Sequence, residues 1–178
     1  MKWAIDTAHS EIHFAVRHLG ISTARGSFPQ FTGEIEENDG VISAVDVAID
    51  LAAITTGDAG RDAHLRSADF FDVETFPKAI FTLTSFERRS AEDVTAHGTL
   101  TMRGVTHPVT LTGEIAGPVK DPWGNQKVSA SLTTTISRKQ WGLVWNMALE
   151  TGGFVVSDDV RMHIDVQAAA VVAAEVAA

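Results

Sequence analysis

The sequence predicts an all-β fold, about eight antiparallel strands closed into a β-barrel with one short α-helix across an end. Three observations predict it. Apolar and polar residues alternate with a period of two along most of the chain. The alternating segments are separated by short turn-forming sequences, which make neighbours antiparallel. A single segment reads as a helix.

In chain order, the first alternating run sets Ile12, Phe14 and Val16 against Glu11, His13 and Arg17. Phe31 to Glu37 reads as a second strand, and the Asn38-Asp39-Gly40 turn leads to Val45, Val47, Ile49 and Leu51, set against Asp46 and Asp50. Asp58 to Asp72 holds good helix formers, an Asp58 cap and a helically spaced Leu65, so it predicts the one helix. Ala79 to Phe86 resumes the strands. Val94, Ala96, Leu100 and Met102 alternate with Thr95, His97, Thr99, Thr101 and Arg103, and the Gly104 to Pro108 turn follows. Val109, Leu111 and Ile115 then lead through Gly117-Pro118 and Asp121 to Asn125 into Val128, Ala130, Leu132 and Ile136. Ser137 to Ser157, with Trp141, Trp145 and Phe154, is too long for a hairpin loop and predicts a lid or plug. Val160, Met162, Ile164 and Val166 form the last strand.

Such strands hide one apolar face either in a two-sheet sandwich or in a closed barrel, and closure has the advantage of removing exposed edges. Strands of ten or more residues tilted near 40° make a barrel roughly 25 Å tall. Periodicity alone leaves open whether its interior is filled or hollow.

The chain has 178 residues, enough for one domain with its own core, taken as 1–167 with an Ala-rich tail at 168–178. Fourteen Lys+Arg against 23 Asp+Glu give a net charge of −9. The cations are scattered, with no run longer than Arg88-Arg89 or Arg138-Lys139, which argues against nucleic acid and against anionic membrane surfaces. The absence of cysteine excludes disulfides, thiolate catalysis and Cys-ligated metal sites. Met1 to Asp6 breaks off before any apolar leader begins, and the tail falls short of the ~20 residues of a membrane span. The expected location is therefore cytoplasmic, with no integral membrane segment. An apolar edge or the tail is a candidate homodimer contact.

Longer motifs carry a resemblance. The opening Trp3-x-Ile5-Asp6-x-x-His9-Ser10-x-Ile12-x-Phe14-x-Val16-x-His18 is followed by Gly26-Ser27-Phe28. Arg61-Asp62-x-His64-Leu65-Arg66-Ser67-x-Asp69-Phe70-Phe71-Asp72-Val73 comes next, with Phe76-Pro77. Gly98-x-Leu100-Thr101-Met102-x-Gly104-Val105-Thr106-x-Pro108-Val109-x-Leu111, then Ile136-x-Arg138 and Gly142, complete the set. In this order over nearly the whole chain they resemble the YceI-like family of lipocalin-like barrel proteins that bind polyisoprenoid lipids or quinones. The resemblance implies an extended barrel whose apolar bore receives an isoprenoid tail, a carrier with no catalytic act and no cofactor. Many relatives look secreted, whereas this chain shows no export signal. Asn146 to Ser157 aligns least.

The expected ligand-binding set is the inward apolar face: Phe14, Val16, Val47, Ile49, Phe81, Leu83, Leu100, Met102, Leu111, Leu132, Ile136, Met162 and Ile164, joined by Trp141 and Trp145. The same residues serve equally well as a solid core. His18 shares the face of Phe14 and Val16, and is either a satisfied core histidine or a polar contact to the ligand. Arg61, His64 and Arg66 on the helix are head-group candidates, with salt bridges to Asp58, Asp62, Asp69 and Asp72 as the alternative use. His13 and His18 point to opposite faces, no His-x-His or His-Glu-x-x-His occurs, and no metal site is expected. Asp158-Asp159 and Glu36-Glu37 face opposite ways in extended chain, and no Gly-x-Ser-x-Gly elbow occurs, so an enzyme is not expected.

Burying about 500 Å² of isoprenoid gives roughly 12 kcal/mol gross. Association costs of about 4–15 kcal/mol leave micromolar-to-nanomolar binding at best. A greasy tail suffices for affinity, and a head group sets selectivity. The competing readings are an enzyme on a small apolar substrate using His18 or His64, and a solid barrel serving as an interaction module.

Overall fold

Ten strands make one antiparallel sheet: β1 (Lys2–Ile5), β2 (Glu11–His18), β3 (Ser22–Ser27), β4 (Phe31–Asn38), β5 (Val41–Asp50), β6 (Lys78–Arg88), β7 (Asp93–Met102), β8 (Val105–Lys120), β9 (Gln126–Ser137) and β10 (Val156–Ala170). The only α-helix among the described residues, α1 (Ala59–Arg66), lies between β5 and β6. The structure is a computed structural model and describes residues 1–171. Of the expected tail, 172–178 lies outside the described residues.

The strand order is β1-β4-β5-β6-β7-β8-β9-β10, and β1 pairs back onto β10, so these eight strands close a barrel. This is the lipocalin-like closed barrel, with β2 and β3 as two extra strands. They continue the edge of β10 beyond β1: β10 faces β1 through Ala168 to Ala170 and faces β2 from Val156 to Asp165. Antiparallel register puts every alternating apolar residue on the inner face, as in the pairs Phe14↔Met162, Ile12↔Ile164, Val47↔Phe81 and Phe81↔Leu100.

Four elements differ from the sequence reading. β1 and β3 were not anticipated as strands. β1 has four residues, too few for a period to show, and its identity comes from pairing with β4 and β10. β3 lacks an apolar face because its inward positions are Ala24 and Gly26, and the Phe14 ring lies over the latter. A Cβ on Gly26 would sit 2.3 Å from Phe14 Cζ. Strand β10 runs three residues past 167, because β1 supplies partners for Ala168 to Ala170. The helix is shorter than Asp58 to Asp72. It starts at its cap, where Asp58 Oδ1 accepts from Arg61 N at 2.8 Å, and yields after Arg66 to tight turns.

A buried cluster lies at the α1 end. Trp141, Leu51 and Ile54 are buried there with Phe28, Phe70, Phe71 and Leu143. Phe14, Phe28 and Phe71 form a tilted and edge-on aromatic chain, with centroids 5.4 and 5.9 Å apart. No described helix is long and apolar enough to cross a membrane.

Candidate functional site: an apolar cavity under the helix

Inside the α1 end of the barrel lies a cavity of about 440 Å³. Strand β2 presents Phe14, Val16 and His18 to it, β3 Ala24, β7 Leu100 and Met102, β9 Ile136, and β10 Val156, Val160 and Met162. Its polar lining is confined to His18, Thr56, Arg61, His64 and Arg138. All five stand at the helix end, where β2 and β9 finish and β5 passes into the helix.

Helix α1 covers this mouth with the face formed by Gly60, Arg61, His64 and Leu65. Its placement is set by Asp62, which is buried and accepts bonds from Thr56 N (2.8 Å) and Thr56 Oγ1 (2.5 Å). These bonds, the Thr56 hydroxyl first, hold the Asp62 carboxyl below its ordinary range. Arg61 Nε donates to Thr56 Oγ1 at 2.7 Å. His64 is held in three ways: Nε2 lies 2.8 Å from Asp69 Oδ2, and its ring stands edge-on to Phe70 and to Trp145, with centroids 5.1 and 4.8 Å away. A carboxylate on one ring nitrogen and two aromatic walls fix the imidazole's orientation at the cavity opening.

The segment after β9 forms the opposite lip. A 3-10 turn over Arg138–Trp141 ends at Gly142 in the left-handed region (φ 75°), which glycine adopts without strain. The Arg138 guanidinium is almost wholly buried and gathers this lip. Nη1 donates to Leu143 O (2.6 Å) and Trp145 O (2.9 Å), and Nε donates to Ser157 O (2.9 Å). Burial pushes its pKa down from the usual arginine value, and Asp158, 3.7 Å away, offsets part of that. The lid or plug expected over Ser137 to Ser157 is thus a lip: Leu143, Trp145 and Val155 border the cavity while Arg138 ties their backbone to β10.

With this geometry in view, the family model described as the YceI-like domain matches residues 3–168. The chain belongs to the YceI-like family. A UPF0312 protein of Staphylococcus aureus (strain N315) is 35% identical over 164 residues, covering 90% of this chain and 93% of the relative. The crystal structure of a YceI protein from Campylobacter jejuni matches with a TM-score of 0.76 at 30% identity, over 88% of this chain and 90% of that one. The structure of a polyisoprenoid binding domain from Saccharophagus degradans implicated in plant cell wall breakdown matches at TM-score 0.74, over 95% and 98% of the two chains. At 16% identity that likeness concerns the fold.

Of the residues expected to contact a ligand, this YceI-like barrel brings Phe14, Val16, His18, Ile49, Leu100, Met102, Ile136, Trp145 and Met162 together around the cavity. Arg61 and His64 join them. Val47, Phe81 and Ile164 point inward but pack against the core cluster. Leu83, Leu111 and Leu132 lie deeper in the bore, half-buried and away from this cavity. Trp141 does not border the cavity, because its indole Nε1 donates to Leu100 O at 3.0 Å and its ring stacks edge-on to His107 within the core. Arg66 turns away, donating to Ile54 O at 3.3 Å.

Sequence reasoning left several lining residues off the set. Val160 shares the parity of Met162 and was within reach of it. Phe70 and Phe71 also face the cavity. Leu143 and Val155 sit in irregular chain where no period marks a face. Among the described residues no cluster of three or more His, Asp or Glu is placed to hold a metal ion.

Proposed function

We propose that this protein binds the tail of an isoprenoid lipid or quinone in its barrel, as a carrier or sequestering module and without catalysing a reaction. The observation that carries this is the segregated lining of the cavity: apolar walls inside and five polar side chains at one end. That is the arrangement a long amphipathic molecule needs, since a hydrocarbon gains by leaving water while its head keeps hydrogen-bond partners. The polyisoprenoid binding assigned by name to the Saccharophagus degradans domain agrees with this reading.

If each carbon group takes about the 30 Å³ that a water occupies in the liquid, the cavity holds roughly fifteen of them, or three isoprene units. A longer tail continues toward Leu83, Leu111 and Leu132, whose half-burial on an inward face leaves room in the lower bore. His64 and Arg61 meet the head group, His64 as an oriented imidazole and Arg61 as a charge-assisted donor.

The test is extraction of protein purified without detergent, followed by mass spectrometry, together with titration by farnesol and geranylgeraniol delivered from ethanol. Saturable uptake near one equivalent is expected. Recovery of no stoichiometric isoprenoid together with no saturable uptake would overturn the proposal.

A further inference from the structure

The lip of the cavity is also an exposed apolar surface. Ile21 (81% exposed), Val144 (61%), Phe154 (60%), Met147 (59%) and Leu19 (39%) all stand at the α1 end. Backbone bonds make most of them one structure. Ala148 bridges Phe154, Val155 N donates to Met147 O (3.0 Å), and Leu19 N donates to Val155 O (2.8 Å). The turn between β2 and β3 is thus joined to a small hairpin over 147–155.

Its charge is unlike that of the rest of the chain. In a protein of net charge −9, residues 18–24 carry no Asp, Glu, Lys or Arg, and residues 141–157 carry only Glu150. At its edges stand Arg17, which donates to Gly20 O, and Lys139, whose Nζ is 6.0 Å from the Phe154 ring centroid and 2.9 Å from the Asp158 carboxylate. The opposite end of the barrel also exposes Val41, Val119 and Trp123, but on hairpins bearing Glu36, Glu37 and Asp39 or Lys120 and Asp121. Water tolerates single apolar residues among charges, whereas a contiguous uncharged patch marks an interaction site.

We infer that this rim docks on the surface of a phospholipid bilayer, seating the cavity mouth against the membrane. The patch is continuous with the cavity: Trp145, Val155 and Val156, in the same segment, line the interior. A water-insoluble tail resides in a bilayer before it enters a protein, so a mouth ringed by apolar side chains lets it pass without crossing water. Uncharged loops suit the headgroup region, where aliphatic and aromatic side chains enter the acyl boundary and the flanking Arg17 meets a lipid phosphate. The inference rests on the lipid-binding reading for its purpose but is tested apart from it.

The experiment is sedimentation of the full chain with sucrose-loaded phosphatidylcholine vesicles. The wild type is expected to pellet with the vesicles. The double variant Ile21→Asp/Phe154→Asp is expected to lose at least about tenfold in partitioning, since two buried apolar side chains are replaced by charges. The control Val119→Asp/Trp123→Asp, at the opposite end, is expected to match the wild type. Thermal melts and farnesol uptake from ethanol, both retained by the rim variant, exclude misfolding. A wild type that stays in the supernatant, a rim variant that pellets equally well, or a rim variant that only converts a dimer to a monomer overturns the docking surface. Vesicle binding without any prenol uptake would instead overturn the lipid-binding reading and leave the docking surface standing.

Discussion

Replacing Ala24 with phenylalanine tests the cavity as the binding site. Ala24 lies on β3 opposite Val16, borders the cavity, and is half-buried, so a larger side chain there grows into free space. The substitution adds six carbons, which at about 30 Å³ each remove ~180 Å³ from the 440 Å³ cavity. A tail denied the burial of six carbon groups at ~0.8 kcal/mol each loses roughly 5 kcal/mol, or three to four orders of magnitude in Kd. A tail that slides deeper recovers part of this, so the expected weakening is at least about a hundredfold. Stability should hold or rise, because the ring fills a void in an apolar wall. The assay is equilibrium titration with geranylgeraniol followed by Trp145 fluorescence, with a thermal melt alongside. An affinity within about threefold of wild type, in a protein that melts normally, would refute the placement of the tail in this cavity.

Two further outcomes follow from the residues that build the mouth. Arg138→Ala leaves the carbonyls of Leu143, Trp145 and Ser157 without their donor, and should cost about 3–5 kcal/mol, seen as a fall in melting temperature near 10 °C. An unchanged melt would show that the lip is held by other contacts. Asp62 has a pKa depressed from about 3.8, so its contribution to stability is present above that value and is lost as the pH falls through the lower folded value. Asp62→Asn should therefore cost about 1–2 kcal/mol near neutral pH, with the deficit shrinking as the pH falls below about 3.8. A deficit independent of pH between about 7 and 3 would contradict this, as measured by urea unfolding at the two values.

The barrel was legible in the sequence because a pleated strand turns every second side chain to the same side. Once one face must leave water, Ile12, Phe14 and Val16 or Val160, Met162 and Ile164 have a single place to go. The Asp58 cap was legible for a similar local reason, since a short acceptor side chain satisfies an orphan helix amide three residues on. β3 was not legible, because its inward positions hold only Ala24 and Gly26, the latter small to accommodate the Phe14 ring.

Alternation alone determined which residues face inward. Which of those border space and which touch one another was decided by tertiary structure. Leu100 and Phe81 are register partners on the same inner face, yet one borders the cavity and the other does not. Arg61 and Arg66 share one helix, yet Arg61 borders the cavity and Arg66, bonded to Ile54 O, does not. A void is a property of the volume left between elements, set by how α1 and the Arg138 lip sit on the barrel end. No local pattern encodes that distance, because it arises from contacts between residues far apart in the chain.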